Sequence, residues 1–243
     1  MFNSVKNLLL NDATKLPSLI DLHSHFLPDI DDGCESVEDS LKLITQMKKL
    51  GYKKLITTPH IMSKKYPNTI QSIKKSLFEI RGMLKVKNID IELEASAEYY
   101  FDNHFIDLVL NKELLYFGDN YILFELPYTT RPLLLEEMIV KMVSLGYKPV
   151  LAHPERYRFL REVTEYRKLK SLGLFFQVNI NSLEGYYGHE VQKKAIMLSQ
   201  KGMVDFIGSD IHHQKHMDSY KESIFSENTK MLFKKNKILN DYI

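Results

Sequence analysis

Short apolar runs alternate along this chain with stretches whose apolar residues recur at helical spacing. The runs lie at residues 18–22, 53–58, 89–97, 121–125, 148–152, 174–180 and 204–208. Their length and their β-branched and aromatic content predict strands. Between the first two, Val37, Leu41, Ile44 and Met47 fall on one helical face. Ser36 opens that helix as a capping box with Asp39, and Gly51 marks its end. Ile70, Ile73, Leu77, Ile80 and Leu84 make a second stripe. Helical patterns also cover 103–112, a stretch with Pro132 in its first turn and its end near Gly146, then 157–172 and 189–201. The alternation gives roughly seven βα units, one short of the common eight. The expected fold is therefore α/β, a (β/α) barrel. A single domain spans 1–243, with residues 1–18 as an N-terminal extension, since no linker or repeat divides the chain.

Composition narrows the partners. The formal net charge is +2 over 243 residues, with acids and bases interspersed. That gives no case for bulk nucleic-acid binding. Short basic stretches such as Lys234, Lys235 and Lys237 read as solvated surface. The one cysteine, Cys34, forms no disulfide framework and fits a reducing compartment. The opening segment MFNSVKNLLLNDATKLPS carries an apolar run of only three leucines, too short for a signal core or a membrane span. A cytoplasmic location without membrane insertion is the expectation.

The chemistry sits where the apolar runs stop. His23 and His25 follow the first run, His60 ends LITTPH, Glu98 follows IELEASA and Glu125 ends YILFE. His153 ends PVLAH, and Asp210 and His212 close FIGSDIH. Barrels place such residues together at the C-terminal ends of their strands. On a strand, positions two apart share a face, so His23 with His25, and Asp210 with His212, can each reach one ion. Carboxylates bridge cations, so acids among histidines favour several metal ions and hydrolytic chemistry. In the loop PDIDDG, Asp29 and Asp31 read as a solvated turn. Arg156 in HPER offers a planar fork that matches phosphate oxygens. His213 reads as a surface residue or an outer support of the ligands.

Nucleophilic alternatives fail on spacing. A cysteine phosphatase needs an arginine six residues after its cysteine, and Ser40 stands there after Cys34. Neither a G-x-S-x-G elbow nor a G-x-x-x-x-G-K-[ST] phosphate loop occurs. Metal-activated water is the remaining attacking group.

The stretches DLHSHFLPDIDDGCESVEDSL, TTPH, AEYY, FELP, AHPERY and SDIHH run from residue 21 to about 213. Together they resemble the polymerase and histidinol phosphatase (PHP) superfamily, and within it the capsular-polysaccharide protein-tyrosine phosphatase branch. The resemblance implies a distorted seven-stranded (β/α) barrel of the PHP type with a trinuclear site. In it His23, His25, Glu98 and Asp210 hold one ion. Glu98 bridges to a second ion, bound also by Glu125 and His153, while Asp32, His60 and His212 hold a third. Arg156 binds the phosphate. Two or three divalent ions are expected, manganese first, with iron, zinc or magnesium also compatible with such donors. Members of the branch dephosphorylate the tyrosine-phosphorylated tail of a bacterial membrane tyrosine kinase that controls polysaccharide export. One departure stands out. Where members often carry a second phosphate-binding arginine, this chain reads HQKHMDSY, leaving Lys215 or His216 as the candidate substitute. The competing readings are a small-molecule phosphatase of the histidinol phosphatase kind on the same site and a non-catalytic regulatory module, the latter expected to have lost ligands.

Overall fold

The structure is a computed structural model and describes residues 16–243, so most of the expected N-terminal extension lies outside the described residues. The strands are β1 (Ile20–Asp21), β2 (Lys54–Thr57), β3 (His60–Ile61), β4 (Glu92–Ala95), β5 (Glu98–Tyr100), β6 (Tyr121–Glu125), β7 (Lys148–Ala152), β8 (Phe175–Asn179) and β9 (Phe206–Gly208). Among the described residues they form two all-parallel sheets, β1-β2-β4 and β3-β5-β6-β7-β8-β9. The protein is thus a mixed α/β fold built on parallel strands.

Where seven strands were expected, nine are present among the described residues, in two sheets rather than one closed ring. The physical reason lies at two breaks. Pro59 has no N–H to donate and ends β2 before β3 begins. Opposite it, Ser96 and Ala97 separate β4 from β5. Backbone bonds still cross these breaks: Ser96 N–H donates to the Thr57 carbonyl (2.9 Å) and Glu98 N–H to that of Pro59 (3.1 Å). Just beyond β1 and β9, Ser24 and Ile211 form a parallel bridge. Asp210 N–H donates to the His23 carbonyl there (2.8 Å), and His25 N–H to that of Ile211 (3.0 Å).

The helices follow the strands as the periodicity predicts. Helix α1 (Val37–Leu50) is capped by the Ser36 hydroxyl, which accepts from Asp39 N–H. It ends at Gly51, whose φ of 114° is a left-handed conformation that glycine adopts without steric cost. Helix α2 (Ile70–Val86) opens with a Thr69–Ser72 capping box, and α3 (Asn103–Asn111) with the Asp102 carboxylate. Helix α4 (Leu135–Ser144) starts three residues after Pro132, and α5 (Val163–Ser171) starts later than expected because residues 157–162 form a loop. The short α6 (Ile180–Leu183) and α7 (His189–Gln200) follow. Helices α8 (Gln214–Ser223) and α9 (Glu227–Lys235) escaped the sequence reading. Both are rich in charged and polar residues and bury only a narrow stripe, Met217 and Tyr220 on one and Leu232 on the other.

Two cores result. The larger lies between strands and helices, with Phe105, Phe124, Phe176 and Tyr166 fully or almost fully buried. The smaller lies on the opposite face of the strands, where Leu22, Ile56, Leu123, Val150 and Phe206 meet. Strands buried on both faces read as near-continuous apolar runs, which is why FFQVN and YILFE carry so few polar residues. Leu239 and Ile243 pack against the smaller core, and Asn240 bonds to Ile20 and to Ile207. Residues 239–243 thereby pack against the N-terminal ends of the strands. No helix among the described residues is long and apolar enough to cross a membrane.

Candidate metal centre

All nine expected ligand residues meet at the C-terminal ends of the strands. His23 Nε2 lies 3.3 Å from both Glu98 Oε2 and Asp210 Oδ1. His25 Nε2 lies 3.5 Å from the same two oxygens. His60 Nδ1 stands 3.2 Å from Glu98 and 3.4 Å from Glu125, while its Nε2 is 3.4 Å from Asp32. His153 Nε2 is 3.0 Å from Glu98, and His212 Nε2 is 3.7 Å from Asp32. These atoms gather into three overlapping groups able to hold a cation: His23, His25 and Asp210; His60, Glu98 and Glu125; and His25, Asp32, His60 and His212. The grouping differs in detail from the expected one. His25 and His60 each face two groups, and His153 approaches through Glu98.

The local folding is specific to this task. His23 Nδ1 is bonded to Gln177 Oε1 at 2.7 Å, and His25 Nδ1 to Asp31 Oδ2 at 2.7 Å. Each bond assigns the proton to Nδ1 and leaves Nε2 free to face the centre. Asp31, read from sequence as a solvated turn residue, has a buried side chain and does more. It accepts from Gly33 N–H (2.9 Å) and from His60 N–H (3.0 Å), tying the loop to two candidate ligands. A side chain on Gly33 would put its Cβ 2.3 Å from the His25 carbonyl oxygen, so only glycine allows this approach. His153 and Asp210 have left-handed backbones, with φ of 33° and 51°. That is uncommon outside glycine and turns both side chains sharply off their strand ends.

Electrostatics set the demand for a cation. Glu98, Glu125 and Asp210 are all buried within one cluster. Burial, followed by the charge of Glu98, pushes the Glu125 carboxyl well above its ordinary range. Burial also opposes ionisation of Glu98 and Asp210, but neighbouring histidines, His23 foremost, hold both well below the ordinary range. His25 is lowered by burial yet raised more by Asp31, Asp210 and Glu98, and ends well above normal. His153 falls to about 4 through burial and the nearby Arg156 charge, and His212 to about 3 through burial and His25. His23 Nε2, His25 Nε2, His60 Nδ1 and Glu98 Oε2 are buried without a hydrogen-bond partner. Orphaned polar atoms are costly in a protein interior. Four of them converging on one point fit a bound metal centre.

Above this floor opens a cavity of about 480 Å³. Arg156 lines it from the 3₁₀ turn Pro154–Arg156, its side chain 23% exposed and its Nη1 3.1 Å from Asp210 Oδ2. The guanidinium lies between the rings of Tyr128 and Tyr187, 4.7 and 4.5 Å from their centroids. Lys215 does not reach the cavity; it is exposed on α8, whereas His216, His213 and Lys65 line the cavity. Asn179 donates to Asp210 Oδ2 at 2.6 Å and accepts from Gln177 at 2.9 Å. These two and Asp31 are the supporting residues that sequence reasoning missed. Gln177 and Asn179 were findable as the two polar residues inside the run FFQVN, and Asp31 as the start of an Asp-x-Gly turn.

Fold and site together define a parallel α/β protein whose strand ends gather histidines and carboxylates into a cleft suited to divalent cations and an oxyanion. The chain belongs to the capsular polysaccharide synthesis CpsB/CapC family, whose model matches residues 19–235. It is similar to the tyrosine-protein phosphatase YwqE of Bacillus subtilis (strain 168), with 28% identity over 199 residues, 81% of this chain and 78% of that protein. It is 25% identical over 214 residues to the tyrosine-protein phosphatase CpsB of Streptococcus pneumoniae, covering 85% and 88% of the two chains. A crystal structure from work on these two proteins, described as unique metal-dependent tyrosine phosphatases, matches with a TM-score of 0.79 at 27% identity. That match covers 92% of this chain and 94% of the other.

Proposed function

We propose that this chain is a metal-dependent protein-tyrosine phosphatase acting in capsule or exopolysaccharide synthesis. The observation that carries the reading is the convergence of three ligand groups on orphaned buried atoms with Arg156 beside them. Kinship with the CpsB/CapC family supports the phosphotyrosine substrate.

His23, His25, Asp32, His60, Glu98, Glu125, His153, Asp210 and His212 would hold two or three divalent ions. Bound cations supply Lewis acidity toward water and toward phosphate oxygens. Mixed imidazole and carboxylate donors suit manganese, with iron, zinc and magnesium as alternatives. The rest is done by the chain. Arg156 offers its fork to two phosphate oxygens, and Tyr128 and Tyr187 hold the guanidinium plane in place. Asp210 balances its charge until substrate arrives. His216 and Lys65 line the same cleft and stand where a second cationic contact would be needed, in place of Lys215. Burial pushes the His216 imidazole down to about 4, so Lys65 is the cation of the two near neutral pH. The rim residues Tyr66 and Tyr100 suit an aromatic leaving group.

The substrate we infer is the phosphorylated tail of a membrane tyrosine kinase, met in the cytoplasm. We also infer that the two sheets act as seven staves of a distorted PHP-type barrel. In that view β2 with β3, and β4 with β5, are single broken staves. The Ser24–Ile211 bridge and the enclosed second core support this. The test of function is hydrolysis of a phosphotyrosine peptide before and after chelation. Turnover should vanish with chelator and return with a divalent cation. Turnover that persists in fully metal-stripped protein would refute the proposal.

A further inference from the structure

A second groove, of about 900 Å³, opens beside the cleft and shares Arg156 and Tyr187 with it. Its lining adds Arg158, Arg161, His189, Lys193 and Lys194, against a single acid, Glu190. That acid is already engaged, 3.0 Å from Lys193. Among the described residues no carboxylate lies within 4.0 Å of the side-chain nitrogens of Arg158, Arg161 or Lys194. Lys194 donates instead to the Tyr157 carbonyl at 2.6 Å. Lys193 and Lys194 sit in the second turn of α7. Gly188, the residue before that helix, provides no side-chain cap, so the first N–H groups are left for other acceptors. Arg158 is fixed from behind, its N–H donating to the Tyr128 carbonyl at 2.8 Å. Tyr128 also stacks on Arg156, so groove and phosphate contact share one framework.

We propose that this groove docks an acidic peptide segment flanking the phosphotyrosine, and that Arg158 and Arg161 set a preference for such substrates. The inference rests on the tyrosine phosphatase reading. A phosphorylated residue seated at Arg156 would bring its chain beside a surface on which cations outnumber acids, and carboxylates are the complementary partner. Exposed charge pairs are individually weak, so the selectivity comes from several together and is screened by salt.

The test compares two phosphotyrosine peptides of equal length, one with aspartate and glutamate beside the phosphotyrosine, one with asparagine and glutamine. In wild-type holoenzyme the acidic peptide should show about tenfold higher kcat/KM, carried by KM, at low ionic strength. The preference should shrink at high salt. In the double variant Arg158→Gln/Arg161→Gln the ratio should fall to about two or less. Both side chains are exposed, so the fold should tolerate the change. Equal turnover of the two peptides by wild type, or an unchanged ratio in the double variant, would overturn the docking proposal while leaving the phosphatase intact. Failure to hydrolyse either peptide, with metal bound, would overturn the phosphatase reading and this one with it.

Discussion

Replacing Arg156 by lysine probes the phosphate contact with the least disturbance to the fold. The arginine is 23% exposed, pairs with Asp210 at 3.1 Å and is stacked between Tyr128 and Tyr187. Lysine keeps the charge but loses the fork, which removes one charge-assisted hydrogen bond to phosphate, about 1.5–3 kcal/mol. It also loses the guanidinium stacking, about 0.5–1 kcal/mol per ring. Part of that loss is shared by the free enzyme, so about 3 kcal/mol should appear in the transition state. That corresponds to roughly a 10²-fold fall in kcat/KM. Metal content should be unchanged, because Arg156 is no ligand, and Asn179 still bonds to Asp210. The assay is steady-state hydrolysis of a phosphotyrosine peptide, with elemental analysis and thermal unfolding on the same sample. Unchanged kcat/KM in Arg156→Lys would refute the reasoning and move the phosphate contact to Lys65 or His216. A parallel loss of metal would show that the arginine acts through the ligands instead.

Asp31→Asn should weaken metal binding about 10- to 100-fold by removing the anion behind His25 Nδ1; calorimetric metal titration showing wild-type affinity would make Asp31 a mere loop residue. Gly33→Ala should destabilise the fold by about 1–3 kcal/mol, since its Cβ would meet the His25 carbonyl oxygen at 2.3 Å. At about 2–4 °C per kcal/mol, that is a clear drop in Tm, and an unchanged melting curve would contradict the close approach. Burial pushes the Cys34 thiol up to about 11, so thiol alkylation and Cys34→Ser should both leave turnover near wild type. Rapid inactivation by iodoacetamide would implicate a thiol after all.

Much of this was legible before the structure. Eight of the nine candidate ligands stand out because each follows an apolar run, and a strand end needs no tertiary information to recognise; Asp32, in the polar loop PDIDDG, came only from the family resemblance. The supports were harder. Asp31 looks like any acid in PDIDDG, and only its bonds to His25, Gly33 and His60 distinguish it from Asp29, which is exposed. Lys65 lies in a polar stretch after β3 with no periodic signal, and reaches the cleft only through the path of the chain. The break at Ser96 was hidden because the apolar run continues past it to Ala97, and β3 was hidden because it spans only His60 and Ile61 after Pro59. Helices α8 and α9 were hidden by their charge, as only a narrow stripe of each is buried. Arg156 was visible as a cation beside His153, but its two aromatic neighbours come from loops distant in sequence.

The central claim is that metal held by these residues hydrolyses phosphotyrosine, and one comparison addresses it most directly. Metal-loaded protein is given a tyrosine-phosphorylated kinase-tail peptide and histidinol phosphate at equal concentration, and phosphate release is followed. The account predicts faster release from the peptide, abolished by chelator. Faster turnover of histidinol phosphate would contradict the substrate assignment, and no phosphate release from either substrate would contradict the account as a whole.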